Sequence, residues 1–135
     1  MSERIIEVAA GVLVDDAGRV LLCQRGYGAQ QGLWEFPGGK REAGESFAAC
    51  LEREIGEELG MRVTCERELL RMRYAYPERT IDFCFLLART HGQTPVLTEH
   101  TGAVWLAFDA IGGQRLCPAD AKAYDMLRKM SKYDG

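Results

Sequence analysis

Apolar residues in this chain follow two different spacings, and each spacing predicts a different kind of element. The segment from Ile5 to Val14 is a run of mostly apolar residues that suits a largely buried strand. Asp15 to Gly18 then supplies turn residues, with Gly18 able to take a positive φ. Because Arg19 to Gln24 is again rich in apolar residues, we predict that it returns as the partner strand of a hairpin.

Further extended segments are separated by glycine and proline. Gly26 to Gly32 is predicted to be a loop, and Leu33 to Phe36 is a short extended piece that Pro37-Gly38-Gly39 stops. The remaining predicted strands run from Arg62 to Tyr74, from Thr80 to Ala88 and from Ala103 to Phe108, with the turn Tyr76 to Arg79 joining the first two as an antiparallel pair.

A four-residue spacing indicates the first of two helices. The apolar stripe consists of Phe47, Leu51, Ile55 and Leu59. Ser46 is a good N-cap residue just before this stripe, and Gly60 follows it as a C-terminal cap. We therefore predict a helix that begins near Ser46 and ends at Gly60.

The second helix is predicted from Pro118 to Met130, with its proline near the start, where the missing N–H is tolerated. We expect one face of it to carry Ala121, Tyr124, Leu127 and Arg128. Strands mixed with two helices indicate an α/β layered domain. The spacings leave the order of the strands open.

The composition is that of one globular domain, and we predict a single domain over residues 1–135. A net charge of −3 argues against binding to nucleic acid polymers or anionic membranes. We expect neither a signal peptide nor a membrane span. Five cysteines without a C-x-x-C pair predict reduced thiols and a cytoplasmic protein, and two histidines are too few for a histidine-based zinc site.

The first predicted helix concentrates acidic residues. Glu54, Glu57 and Glu58 stand at i, i+3 and i+4, so a helix places their carboxylates side by side. A like-charged i, i+4 pair destabilises an isolated helix by roughly 0.2–0.5 kcal/mol. Hard divalent cations prefer oxygen ligands and would neutralise such a cluster.

The alternative is an ordinary solvated helix with surface glutamates. Such helices usually interleave acids with bases at i+4, whereas only Arg53 lies within this acidic run. Gly56 in the middle of the helix costs roughly 1 kcal/mol relative to alanine. Both features favour a metal-dependent catalytic element over a purely structural helix.

The spacing of the whole segment resembles a known family motif. Gly39, Glu45, the pair Arg53-Glu54, the pair Glu57-Glu58 and Gly60 occupy fixed positions of the Nudix box. The resemblance implies the Nudix fold, an α/β/α arrangement with a mixed β-sheet between helices and the box helix packed on one side. It also implies a hydrolase that cleaves phosphoanhydride bonds with Mg²⁺ or Mn²⁺.

The resemblance implies a role for each residue of the box. The implied metal ligands are the Gly39 carbonyl and the carboxylates of Glu54, Glu57 and Glu58. Glu45 is expected to orient the loop against the helix, and Arg53 to hold a metal-binding carboxylate in place.

The similarity extends outside the box to MutT-like nucleotide pyrophosphohydrolases, which have stretches similar to Leu33 to Lys40 and Tyr76 to Phe83. Glu99, six positions before Trp105, resembles a loop glutamate that reaches the metal site in that branch. This glutamate is a candidate to assist deprotonation of the attacking water. The alternative for Glu99 is a solvated loop acid.

Three further residues are candidates for substrate binding. Arg25 and Arg79 are expected to clamp phosphates, because a guanidinium fork suits phosphate oxygens. Gly38, together with Gly39, lets the backbone come close to a ligand. The alternative for each arginine is a surface side chain without a ligand.

Asp120, within Pro118-Ala119-Asp120, is the candidate contact to the base. MutT enzymes that favour 8-oxoguanine carry an asparagine here, which can donate to the purine O6 and accept from N7–H. An ionised aspartate can only accept, so it suits the amine of cytosine or adenine unless a raised pKa keeps it protonated. CTP-type pyrophosphohydrolases have aspartate in a similar context. The alternative is a first-turn acid favoured by the helix dipole.

The resemblance therefore predicts a pyrophosphohydrolase that converts (deoxy)nucleoside triphosphates to the monophosphate and pyrophosphate, with water attacking in line at the β-phosphorus. Cytosine nucleotides and 8-oxo-dGTP are the leading substrates, and sanitising the nucleotide pool for DNA repair, or housekeeping, is the implied role. We expect a monomer or homodimer with a small nucleotide as its partner. The alternative is a catalytically silent Nudix ligand-sensing module, but such modules typically lose the box glutamates that this chain retains.

Overall fold

The computed structural model describes residues 5–130, in which seven strands and two α-helices form one sheet with a helix on each side. The strands are β1 (Ile5–Val14), β2 (Val20–Arg25), β3 (Trp34–Glu35), β4 (Gly38–Lys40), β5 (Val63–Ala75), β6 (Thr80–Thr90) and β7 (His100–Leu106). The helices are α1 (Phe47–Leu59) and α2 (Pro118–Arg128), with a 3₁₀ helix at Phe108–Gly113.

The sheet is mixed, and β1 lies at its centre. Strand β1 runs parallel to β6 along its whole length and antiparallel to β4. It pairs with β2 only at Val14 and Val20, the two residues on either side of the turn that contains Gly18, whose φ is +80°. Past that point β1 and β2 have different neighbours, since β4 joins β1 while β3 and β7 flank β2.

Alternate residues of β1 point to opposite faces, and each face packs against a different helix. Ala10, Val12 and Val14 belong to the core that includes the buried side of α2. Ala9 and Leu13 belong to the core that includes the buried side of α1. The layers are therefore α/β/α, as predicted.

A glycine brings α1 close to the sheet. Gly11 of β1 faces the helix, and a Cβ at this position would lie 3.1 Å from both terminal carbons of Leu51. Leu51 is fully buried, a burial that contributes roughly 1.5–3 kcal/mol. Because the helix approaches this closely, its acidic face lies beside β4.

Both ends of α1 have the caps that the sequence predicts. The Ser46 hydroxyl oxygen accepts a hydrogen bond from the Ala49 amide at 3.0 Å, and Gly60 ends the helix with a φ of +62°. The loop before β7 supplies further partners for the last carbonyls. The Val96 amide donates to the Leu59 carbonyl at 2.8 Å, and the Thr98 hydroxyl donates to the Glu58 carbonyl at 3.2 Å.

Two local predictions were wrong, and one strand was missed. Strand β7 begins at His100 and ends at Leu106, because it pairs with the whole of β2, while Phe108 starts the 3₁₀ helix. The predicted stop after Phe36 is confirmed, but Gly38 and Gly39 then form the unpredicted strand β4 against β1. Ala121 and Arg128 are exposed, because the buried face of α2 consists of Ala119, Asp120, Ala123, Tyr124 and Leu127.

The other element predictions are confirmed within two residues at the ends, including the β5–β6 pair around the turn Tyr76 to Arg79. All five cysteines are free thiols, and four of them are buried. No helix within residues 5–130 is long and apolar enough to cross a membrane.

Candidate active site

A cavity of about 650 Å³ opens where β1 and β2 separate. Its walls come from β1, β4, the loop after β2, the turn between β5 and β6, and the first turn of α2. Glu58 lies at one end and Asp120 is among the residues that line the rest. The cavity therefore brings together residues that are far apart in the sequence.

The acidic end is built by α1 and β4. Burial is the largest of the causes that together raise the pKa of Glu58 to about 8, followed by a hydrogen bond with Glu54 and the charge of Glu54. The weaker influence of Glu99 and Glu35 has the same direction. Gly39 lies against this pair, since a Cβ on it would overlap the Glu54 carboxylate. Glu54 is thus in direct contact with both Glu58 and the backbone of β4.

Arg53 links the acidic residues of the box. Its guanidinium donates to both oxygens of Glu45, at 2.6 and 3.0 Å, to Glu54 at 2.8 Å and to Glu57 at 3.2 Å. It also donates to the Lys40 carbonyl at 3.1 Å, which ties the helix to the end of β4. The hydrogen bonds of Arg53 hold the pKa of Glu45 down at about 2.

These residues fit a hard divalent cation. Glu54 and Glu58 are adjacent oxygen donors whose mutual repulsion a cation would relieve, and only glycine at position 39 leaves room beside them. Within residues 5–130 no three acidic, histidine or cysteine side chains converge on one point. The reason is that Glu57, with a side chain that is 60% exposed, hydrogen-bonds to Arg53 and not to Glu54 or Glu58.

Glu99 lies in the loop that caps α1. Its carboxylate accepts a hydrogen bond from the Tyr27 hydroxyl at 3.0 Å, and both residues line the cavity. The backbone is close as well, because a Cβ on Gly26 would overlap the Glu99 carbonyl. Two loops therefore meet at the rim of the cavity, one after β2 and the other before β7.

Arg25 has a protein partner. Its Nη1 donates to Glu35 at 3.0 Å, and the other oxygen of Glu35 lies 2.9 Å from Nε2 of His100. All three side chains line the cavity. The charge of Glu35 raises the pKa of Arg25 above its ordinary value, against the opposing effect of burial.

Arg79 and Gly38, which were also predicted to bind the substrate, differ in their surroundings. Arg79 is exposed in the turn between β5 and β6 and lines the cavity. Gly38 also lines the cavity, but its lack of a side chain has a second cause. A Cβ on it would overlap the Ala9 carbonyl, so glycine is required for β4 to pair with β1.

Asp120 is buried in the first turn of α2, with 6% of its surface exposed. Its Oδ1 accepts a hydrogen bond from the Phe36 amide at 3.0 Å. Burial and, second to it, the charge of Glu35 raise the pKa of Asp120, and the net value is about 8 although the Phe36 amide and Arg25 oppose the rise. At neutral pH the carboxyl group is therefore largely protonated.

Sequence reasoning missed Glu35, His100 and Tyr27 as parts of this site. Glu35 is an acidic residue within the short apolar segment Leu33 to Phe36, and His100 directly follows Glu99, so each gave a weak signal. Tyr27 gave none, because its contact with Glu99 joins residues 72 positions apart.

The chain matches the model of the NUDIX domain over residues 6–130. It is 38% identical over 130 residues to the 8-oxo-dGTP diphosphatase of Haemophilus influenzae, with 94% of each chain covered. It is 36% identical over 119 residues to the CTP pyrophosphohydrolase of Escherichia coli K12, with 87% of each covered. The solution structure of the E. coli ORF135 protein superimposes with a TM-score of 0.81 at 34% identity, covering 98% of this chain and 96% of that one.

Proposed function

This chain belongs to the NUDIX domain family, and we propose that it is a Mg²⁺-dependent hydrolase of nucleoside triphosphates that releases the monophosphate and pyrophosphate. Water adds to phosphorus, the bridging bond between the α- and β-phosphates breaks, and the proton of the water leaves to a base. The observation that carries this proposal is the Glu54–Glu58 pair beside Gly39 at one end of a nucleotide-sized cavity. Both curated relatives described above have names that place them among nucleotide hydrolases.

The residues of the acidic end have separate tasks in this proposal. Glu54, Glu57, Glu58 and the Gly39 carbonyl would hold the cation. When bound, Mg²⁺ neutralises phosphate charge and lowers the pKa of coordinated water. Arg53 orients Glu54, and Glu45 keeps Arg53 in place through two hydrogen bonds. Glu99, at the rim, is our candidate to accept the proton of the attacking water.

Positive charge on the other walls would bind the phosphates. Arg25 and Arg79 both line the cavity, and a guanidinium can donate two parallel hydrogen bonds to phosphate oxygens. Arg79 is exposed in its turn and is accessible to a ligand, whereas Arg25 reaches the cavity while bonded to Glu35.

We propose 8-oxo-dGTP as the leading substrate, and Asp120 as the residue that contacts its base. The Phe36 amide binds Oδ1 of Asp120, so the proton resides on the other oxygen. A protonated carboxyl can donate to the purine O6 and accept from N7–H, as the asparagine amide does. Cytosine nucleotides are the second candidate, because the ionised form of Asp120 would accept from the cytosine amine.

The cellular role that we propose is removal of oxidised nucleotides from the cytoplasmic pool. The free, buried cysteines support a reducing compartment. The competing proposal of a silent ligand sensor is weaker, because Glu54, Glu57 and Glu58 are all present and Arg53 orients two of them.

The test is pyrophosphate release in the presence of Mg²⁺ across a panel of CTP, dCTP, 5-methyl-dCTP, dGTP, 8-oxo-dGTP and ADP-ribose, compared by kcat/KM. We expect 8-oxo-dGTP to exceed dGTP by about tenfold or more, the value of one well-placed hydrogen bond. Turnover of none of the triphosphates would overturn the proposed function. Turnover with a strong preference for CTP would keep the reaction and overturn the assignment of the base.

A further inference from the structure

Glu35 joins two side chains that come from different strands. We propose that His100 is a positioning residue that acts through Glu35 on Arg25 and so fixes the guanidinium that faces the substrate phosphates. This inference rests on the proposed function and adds His100 and Glu35 to the residues that determine substrate affinity.

The three side chains meet because three neighbouring strands carry them. Strand β2 lies between β3 and β7. Arg25 is the cross-strand partner of His100, at a bulge that follows Gln24. Glu35 stands in β3 opposite Cys23, two residues before Arg25 on the same strand. Backbone pairing therefore brings the carboxylate between the guanidinium and the imidazole.

The two oxygens of Glu35 are occupied by different donors. Oε1 accepts from Arg25 Nη1 at 3.0 Å, and Oε2 lies 2.9 Å from His100 Nε2. A single hydrogen bond to Arg25 would leave the carboxylate free to rotate about its last bond. The second hydrogen bond fixes the plane of the carboxylate, and thereby the direction in which Oε1 holds the guanidinium. In the neutral ring this requires the proton on Nε2.

His100 lines the cavity but is the least exposed member of the trio. Its side chain is only 6% exposed, whereas the Glu35 side chain is 18% exposed and the Arg25 side chain 34%. Exposure rises along the chain of contacts from the histidine to the arginine. The imidazole therefore acts mainly through its hydrogen bond to Glu35, and Arg25 is the member of the trio most open to a ligand.

The arrangement carries a cost that packing alone would avoid. Arg25 Nε and His100 Nδ1 are both buried and find no hydrogen-bond partner among residues 5–130. An unsatisfied buried polar group destabilises the folded state. An apolar side chain of similar size at position 100 would remove one of these costs. A polar trio kept at the expense of stability is typical of a functional site.

A double-mutant cycle tests this assignment. His100→Phe keeps the ring volume and removes the hydrogen bond to Glu35, so we expect KM for the triphosphate to rise about tenfold while kcat falls less than threefold. His100→Gln can place an amide donor where Nε2 stands and should restore KM to within threefold of the unsubstituted protein. In an Arg25→Met background, His100→Phe should change KM less than twofold, because its effect passes through Arg25.

Each outcome decides the matter. Equal effects of His100→Phe with and without Arg25, or a His100→Gln variant as impaired as His100→Phe, would overturn the inference. So would a loss confined to kcat. If His100→Phe fails to fold, His100→Leu, which also removes the hydrogen bond to Glu35, takes its place in the same cycle with the same expectation. Absence of turnover in the unsubstituted protein would overturn the proposed function together with this inference, whereas additive effects in an active protein overturn only the inference.

Discussion

Two carboxyl groups in the same cavity have similarly raised pKa values, and they differ in what acts on them besides burial. Glu58 and Asp120 both titrate at about 8, and burial is the largest cause for each. The second cause at Glu58 is a carboxylate in contact, Glu54. The second cause at Asp120 is the more distant charge of Glu35, and its own oxygen is bonded to a backbone amide.

This difference indicates what each end can bind. At Glu58 two acids share a small volume, so a divalent cation relieves both burial and repulsion. At Asp120 a single buried acid has no second carboxylate in contact, so burial can be relieved by one proton, against the opposing effect of the Phe36 amide. One end is suited to a metal with its phosphates, and the other to a neutral base that accepts a hydrogen bond.

The largest effect should come from Glu58→Gln. We expect kcat to fall about a thousandfold, because the substitution removes a proposed ligand of the cation. The same substitution should raise the melting temperature of the metal-free protein at pH 8 by a few degrees, because it removes a buried acid that repels Glu54. Steady-state kinetics and thermal unfolding in EDTA measure the two effects.

A matched control is Glu52→Gln on the exposed side of α1. Its carboxylate accepts from the Cys65 amide, which a glutamine oxygen can also do. We expect its kcat to stay within twofold of the unsubstituted protein. Turnover that survives Glu58→Gln would show that the cation lies elsewhere.

Arg53→Lys should have the next largest effect. Lysine keeps the charge but cannot hold Glu45, Glu54 and Glu57 at once, as the guanidinium does. We expect the affinity for Mn²⁺ or the turnover to fall about 10- to 100-fold. Titration with Mn²⁺ followed by electron paramagnetic resonance measures the affinity without turnover. An unchanged Mn²⁺ affinity together with unchanged kcat would contradict the role of Arg53.

The two acids should also make stability depend on pH. In the folded state each group keeps its proton up to about pH 8. After unfolding, the pKa of Glu58 returns to its ordinary value of 4.5 and that of Asp120 to 3.8. The folded state therefore holds more protons in this range, and the melting temperature in EDTA should fall as pH rises from about 5 to 8.

Variants separate the two contributions to that slope. Mg²⁺ should reduce the fall, and in Asp120→Asn the fall in EDTA should be smaller than in the unsubstituted protein. The fall in melting temperature that remains in Asp120→Asn comes from Glu58, and Mg²⁺ should abolish it. A melting temperature in EDTA that rises between pH 5 and 8 would contradict the raised pKa values.

Tyr27→Phe should have the smallest effect. The hydroxyl is the only group that the substitution removes, and it holds Glu99 at the rim at 3.0 Å. We expect kcat to fall about threefold, with little change in melting temperature because Tyr27 is 59% exposed. Tyr27→Phe in a Glu99→Gln background should have no further effect. A loss of the same size in both backgrounds would show that Tyr27 acts on another group.

The same contrast explains how much could be predicted from the sequence. The acidic end lies on one continuous segment, so the spacing of Gly39, Glu45, Arg53 and the glutamates predicted the helix, both of its caps and the contact between Glu54 and Glu58. The hydrogen bond that turns Glu57 toward Arg53 was not predicted, because helical spacing fixes only the face on which a side chain stands.

The other end is assembled from distant segments. The Phe36 amide meets Asp120 across 84 positions, and His100 meets Glu35 across 65. Ala121 was predicted to face inward because it stands three positions before Tyr124, whereas the buried positions of α2 include an aspartate that the apolar pattern passes over. Asp120 is a polar residue on the buried face of α2, so a pattern of apolar residues cannot identify that face, and the exception lies within the candidate site.

The central claim is that a proton on Asp120 determines the choice of base. The most direct test is the ratio of kcat/KM for 8-oxo-dGTP to that for CTP, measured at pH 7 and pH 9 for the unsubstituted protein and for Asp120→Asn. The variant retains whatever pH dependence belongs to the substrates themselves. We predict that the ratio of the unsubstituted protein favours 8-oxo-dGTP at pH 7 and falls about tenfold by pH 9 relative to the variant, as Asp120 ionises. A ratio that changes equally in the two proteins, or that favours CTP at pH 7, would contradict the claim.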